Sequence, residues 1–171
     1  MEVLAETQAI AGVSGQDRLI EFSFPSIAAT GLGRLIGMIC TSIPVRIGGV
    51  PLSCLLFGLP LAPLGAALYL SQKVLGDRYI ITNQAVEIRK SIGGNLVKRV
   101  ELASIANVTI SVQAGQAFSR AGNLELRDAK GSILAVLQGV AWPERLKSAL
   151  LEARQARVSN DAAFAQIQAR K

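Results

Sequence analysis

The sequence contains no histidine. That removes the commonest general base and the commonest metal ligand. It has two cysteines, Cys40 and Cys54, both in apolar stretches and spaced neither as zinc ligands nor as a disulfide framework. They read as small buried hydrophobes. Aromatic residues make up only 5% of the chain, and no basic helix or aromatic-studded strand face stands out. Nucleic acid is therefore not expected as a partner, despite a net charge of +6. The opening MEVLAETQAI lacks the basic n-region of a cleaved signal peptide, so any membrane segment is expected to persist. There is no HExxH, no phosphate-binding glycine loop before a lysine and no GxSxG elbow. No enzymatic activity, cofactor or metal is expected. Ser53 and Lys73 form the one candidate serine–lysine pair, but lone serines in apolar helices usually bond to their own backbone. The Asn107-Val108-Thr109 sequon falls within an expected strand and is discounted.

Charge is the next thing missing, and its absence is local. From Ile47 to Ser71 there is no charged residue. A bilayer core of about 30 Å needs roughly 20 apolar residues in a helix, which this stretch supplies. The mean hydropathy of +0.39 is high for a soluble chain of this size. A weaker apolar region, residues 26–45, precedes it and is interrupted by Arg34. An arginine at a helix centre costs about 2.5–3.5 kcal/mol on the insertion scale. Gly33 and Gly37, extended by Thr41, form a small-residue face suited to close helix packing. Arg34 is expected to snorkel to an interface or to meet another subunit. Pro44, Arg46, Gly48, Gly49 and Pro51 supply turn chemistry between the two regions. The simplest arrangement is a transmembrane helical hairpin over residues 25–72, its second arm kinked near Pro60 and Pro63. Basic residues flank the pair on its outer sides (Arg18; Lys73, Arg78, Arg89, Lys90), which predicts that both termini are cytoplasmic.

After Gly76 the periodicity changes to two. Strands are expected at Asp77–Thr82, Ala85–Ser91, Leu96–Leu102, Ala106–Gln113, Asn123–Asp128 and Ser132–Gln138. The Ile92-Gly93-Gly94-Asn95 turn makes a hairpin. Pro143 suits the first position of a closing helix, whose apolar face is Leu146, Ala149, Leu150 and Ala153. Arg18–Phe24 alternates as well and can add a seventh strand if both ends of the apolar segment emerge on one side. The expected division is a tail with a possible first strand (1–24), the hairpin (25–72), a β-domain with its capping helix (73–157) and a tail (158–171). Ser159-Asn160-Asp161 is read as the cap of a last short helix. The fold class is thus membrane-anchored α+β.

This pattern resembles the membrane-anchored, YdbS-like bacterial pleckstrin-homology (PH) domain proteins. The resemblance rests on the two apolar segments followed by Asp77-Arg78-Tyr79-Ile80-Ile81-Thr82-Asn83-Gln84, then Val86-Glu87-Ile88-Arg89-Lys90 and the glycine turn. Val100–Val108 and the Trp142-Pro143 junction before the final helix complete it, so that it spans roughly residues 18–157. It implies a seven-stranded, strongly bent sheet capped by a C-terminal helix, in a bacterial inner-membrane protein with its β-domain in the cytoplasm. Eukaryotic members of the wider fold often hold phosphoinositides on basic residues around the loop between their first two strands. Here Thr82-Asn83-Gln84 is tight and carries no basic residue, which speaks against such a pocket.

Arg78, Arg89, Lys90, Lys98 and Arg99 gather in the first strands after the apolar segment. As a site they would bind anionic lipid headgroups, worth about 1 kcal/mol per basic residue near the surface, or a protein partner. The bland alternative is a solvated strand face partly neutralised by Glu87 and Glu101. The reading that follows is a non-enzymatic membrane-anchored adaptor at the cytoplasmic leaflet, binding a protein or peptide or lipid headgroups. The rival is an accessory subunit of a larger membrane complex, with Gly33, Arg34, Gly37 and Thr41 contacting other subunits.

Overall fold

A computed structural model describes residues 17–169 of the chain. The tail expected over residues 1–16 lies outside them. The described chain begins with strand β1 (Leu19–Ser23), a single 3-10 turn at Ile27–Ala29 and helix α1 (Gly31–Cys40). Two-residue strands β2 (Arg46–Ile47) and β3 (Val50–Pro51) then form a small hairpin before helix α2 (Leu52–Leu75). Six strands follow: β4 (Asp77–Thr82), β5 (Ala85–Lys90), β6 (Leu96–Glu101), β7 (Asn107–Ser111), β8 (Ala121–Arg127) and β9 (Ile133–Ala141). Helix α3 (Pro143–Ala169) ends the described chain. The protein is thus mixed α+β with antiparallel sheets.

The strands make a four-stranded sheet in the order β1-β4-β5-β6 and a three-stranded sheet in the order β7-β8-β9. β1 pairs antiparallel with β4, Phe22 opposite Ile80 and Ser23 opposite Tyr79. The chain therefore leaves the sheet after β1, forms both helices, and returns to lie beside the strand it left. A bridge between Pro25 and Val140 joins this corner to β9. Alternation on the strands decides what is buried. Tyr79, Ile81, Val86, Ile88 and Val100 from one sheet meet Val108, Leu124, Leu126, Leu137 and Val140 from the other. The Tyr79 hydroxyl bridges the sheets: it donates to the Gln138 carbonyl and accepts from the Gln138 amide, both at 3.0 Å. Leu146, Leu150 and Ala153 recur at helical spacing on α3 and close the core from one end. Each fully buried leucine contributes about 1.5–3 kcal/mol of transfer free energy.

Two expectations fail, both at helices. The first arm of the hairpin does not reach across a bilayer. α1 has 10 residues, about 15 Å at 1.5 Å per residue, against a core of about 30 Å. Its ends are capped. The Thr30 hydroxyl accepts from the Gly33 amide at its start, and Ser42 donates to the Ile39 carbonyl at its end. Among the described residues only α2 is long and apolar enough to cross a membrane, so residues 25–72 supply one helix of span length where two were expected. The second failure is the tail. α3 runs unbroken for 27 residues through Ser159, Asn160 and Asp161. No glycine or proline interrupts that stretch, and Arg157 pairs with Asp161 at i,i+4 across the expected break.

Candidate functional site

The insert between β1 and β4 is fixed to the β-domain by backbone contact. A Cβ on Gly37 would collide with the carbonyl of Gly115, and one on Gly115 with the carbonyl of Arg34. Gly115 also has φ +82°, where a side chain is strained. The small-residue face of α1 thus meets the β7–β8 loop. A Cβ on Gly33 would meet the Ile27 carbonyl, so that glycine serves the entry turn. Arg34 bonds through its guanidinium to the Gln113 side chain, and the Thr41 hydroxyl returns to the Gly37 carbonyl of its own helix at 2.8 Å. All four residues of the expected helix-packing or subunit face have partners within the chain.

A buried amide pair reinforces this seam. Gln116 Nε2 donates to Asn123 Oδ1 at 2.8 Å and to the Ala28 carbonyl at 3.4 Å, while its Oε1 accepts from the Gln113 amide. Asn123 Oδ1 also accepts from Gly139, whose carbonyl receives the Ser26 amide. A glutamine in a polar loop gives no sequence signal of such a role.

α2 rests on α1 along one stripe. Ser53 is buried and donates to the Cys40 carbonyl at 2.6 Å. At the other end, Gln72 shares a cleft of about 270 Å³ with Ala29, Thr30, Tyr79 and Lys90. The two helices therefore run in opposite directions. Ser53 and Lys73 stand at opposite ends of α2, about 30 Å apart at 1.5 Å per residue, and Lys73 lies over the Tyr69 ring. They do not form a catalytic pair. The rest of α2 is uncovered, with Leu59 83% exposed. Cys40 and Cys54 are both free thiols.

The basic cluster is divided by strand parity. Arg78 faces Arg89 across β4 and β5, and Glu87 faces Arg99 across β5 and β6, all on the outer side. Lys98 lies opposite Ile88 and Lys90 opposite Asp77, which puts both lysines on the core-side face at the rim. On the outer side the centre is a carboxylate. Glu87 is 3% exposed and accepts from Arg89 Nε and Arg99 Nη1, each at 2.7 Å. Arg99 Nη1 also pairs with Asp17 at 2.7 Å, and its hydrogen bond holds the Asp17 carboxyl below the usual range. The same bond raises the Arg99 guanidinium further above its ordinary value. Lys90 pairs with Asp77 at 2.6 Å. Three of the five cations are thus matched within the chain. Glu87, read from sequence only as a partial neutraliser, is the hub.

A second concavity, about 240 Å³, lies between β1 and the start of α3 and is lined by Glu21, Phe22, Ser23, Trp142, Arg145 and Leu146. Phe22 and Trp142 stand exposed on its walls. Trp142 has φ +53°, a conformation a bulky side chain rarely adopts. It is held there by its backbone N–H, which donates a hydrogen bond to the Arg120 carbonyl, and by the Arg120 guanidinium 4.8 Å from its ring centre. Glu21 and Arg145 pair at 3.3 Å across the groove. Nothing in the sequence pairs Phe22 with Trp142, because only the return of β1 to β4 brings them together. Among the described residues no three His, Cys, Asp or Glu side chains gather as metal ligands. No family model matches this chain, and no curated protein matches it either.

Proposed function

We propose that the protein is a PH-like module held at a membrane by α2, non-enzymatic, and acting as a docking platform for a protein partner. The observation that carries this reading is α2 itself. It is a span-length apolar helix with almost all its surface uncovered, inserted between two strands that pair in one sheet. The four-plus-three strand arrangement closed by a C-terminal helix supports the PH-like description and the kinship with bacterial PH-domain membrane proteins. On this reading the β-domain sits at the cytoplasmic face of the inner membrane.

The partner is a protein segment rather than an anionic headgroup. Glu87, Asp17 and Asp77 already neutralise Arg89, Arg99 and Lys90, which leaves Arg78 and Lys98 on different faces. The groove beside β1 offers what an extended segment needs. It has an edge strand, the exposed rings of Phe22 and Trp142, and a charged pair at its rim. The accessory-subunit alternative loses its proposed surface, since Gly33, Gly37 and Arg34 are occupied within the chain.

Flotation with uncharged phosphatidylcholine vesicles tests the anchor. The full chain should float, and Leu56→Asp with Leu59→Asp should stay at the bottom of the gradient. Native extraction in mild detergent tests the platform. A stable heteromer that Phe22→Asp dissolves supports it, whereas undiminished recovery of the partner with that variant sinks the groove as the docking site.

A further inference from the structure

We infer that the helical insert is re-entrant. It enters one leaflet from the β-domain's side and returns to that side without crossing the bilayer. This rests on the membrane reading above and sharpens it.

The argument is one of parity. β1 and β4 are hydrogen-bonded neighbours, with Leu19 opposite Thr82 and Ser23 opposite Tyr79. Both ends of the insert therefore lie on the same side of any membrane, and the number of crossings between them is even. All of residues 24–76 are described, and they hold one helix of span length. A second crossing would need α1 and residues 41–51. α1 reaches about 15 Å. The remainder is a non-helical hairpin carrying Arg46, whose two-residue strands pair at Arg46–Pro51 and Ile47–Val50. Hydrocarbon does not accept such backbone unless protein covers it, and Arg46, Ile47, Gly48 and Gly49 are exposed. One crossing contradicts the sheet and two exceed the available helix. The even number left is zero.

The packing agrees. α1 is fixed to the β7–β8 loop at Gly37 and Arg34, and the segment before it is fixed to Gly139 and Gln116. α2 runs back along α1. Driving α2 upright through the bilayer would draw α1 and the polar loop carrying Gln113 and Arg120 into the acyl chains. Lying within one leaflet, α2 instead buries its uncovered side in lipid. Leu35 and Met38 of α1 and Val45 and Val50 of the hairpin, all exposed, then complete the apolar face. Arg46 and Lys73, on either side of the charge-free stretch, both reach headgroup phosphates of that same leaflet.

The experiment uses the full chain in sealed membrane vesicles with two engineered protease sites. One is inserted between Gly48 and Gly49, where the surroundings are open, and the other in the Asp128–Gly131 turn. Re-entry predicts that both sites are cut in the same vesicle orientation and that both are protected in the other. Complementary cutting, one site from each side, overturns it. Arg46→Cys and Lys98→Cys, labelled with an impermeant maleimide in a Cys40→Ala, Cys54→Ala background, repeat the comparison without an insertion. Labelling from one side supports re-entry and labelling from opposite sides overturns it. If the chain fails to float with vesicles at all, the membrane reading falls, a result distinct from a crossing helix.

Discussion

The β-domain and the insert that interrupts it use similar residues to opposite ends. In the domain, leucine, isoleucine and valine alternate with polar residues. Leu124, Leu126 and Leu137 are fully buried while their neighbours Glu125 and Arg127 pair outside. In α2 the apolar residues run all round the helix, and Ser53 is the buried one. The domain completes its own interior, whereas the insert leaves its apolar surface for something else to cover. The lesson is that a large apolar fraction is informative only through its period. Period two with polar alternation gives a self-contained sheet, and apolar residues at every angle of a helix give a surface that water does not satisfy.

Substitutions that treat the two regions alike should therefore have unlike outcomes. Leu150→Ala, in the domain, should lower unfolding free energy by about 3 kcal/mol. Leu59→Ala in the insert should leave the melting midpoint in detergent unchanged and weaken vesicle flotation only. A comparable loss of stability from both would erase the distinction.

High pH probes the seam between the sheets. Burial pushes Tyr79 up to about 12 from an ordinary 10. Its folded value is raised, so its contribution is fully present below pH 10 and is lost as pH rises towards 12. The loss amounts to about 3 kcal/mol at 1.36 kcal/mol per unit. Tyr79→Phe should cost about 1 kcal/mol at neutral pH and remove this alkaline step, as read by denaturant midpoints across pH 8–12.

Gly37→Val sharpens the boundary. The added carbons meet the Gly115 carbonyl, at a cost of about 1–3 kcal/mol, and the effect should be local. Amide exchange should rise over Gly31–Cys40 while β8 stays protected. Glu87→Gln should cost about 2 kcal/mol, below the range for fully buried pairs because both arginines are partly exposed. It should also raise binding to anionic vesicles by freeing Arg89 and Arg99, and unchanged binding would show that the outer face does not reach the membrane. The smallest effect belongs to Arg145→Ala, an exposed pair worth about 0.5 kcal/mol at most in melting experiments.

Much of the sheet was legible in the sequence, because its periodicity is local. Asp77–Thr82 matches β4 to the residue, and the expected first strand at Arg18–Phe24 is β1. β8 starts earlier than its alternation suggested, at Ala121, since Gly122 packs its bare backbone against Pro143. The helices misled for physical reasons. Hydropathy over residues 26–45 could not show that Thr30 caps α1 and Ser42 ends it. The spacing of Gly33 and Gly37 signals close approach but not to what, and here the partner for Gly37 is a loop backbone remote in sequence. The basic cluster misled through register: Glu87 lies opposite Arg99, and a bulge after Ile88 puts Leu96 opposite Arg89. No local pattern encodes that shift.

The pairing of β1 with β4 also has a consequence for how the molecule is made. β1 is synthesised before β4, its strand neighbour among the described residues, which follows an insert of both helices. The four-stranded sheet cannot close until the most apolar part of the chain has left the ribosome. That delay is a long loop to close, and such contacts form slowly. During it α2 meets its surroundings without a finished domain beside it. On the membrane reading proposed above, lipid association precedes completion of the sheet, and each molecule that closes β1 onto β4 has already committed both ends of its insert to one side.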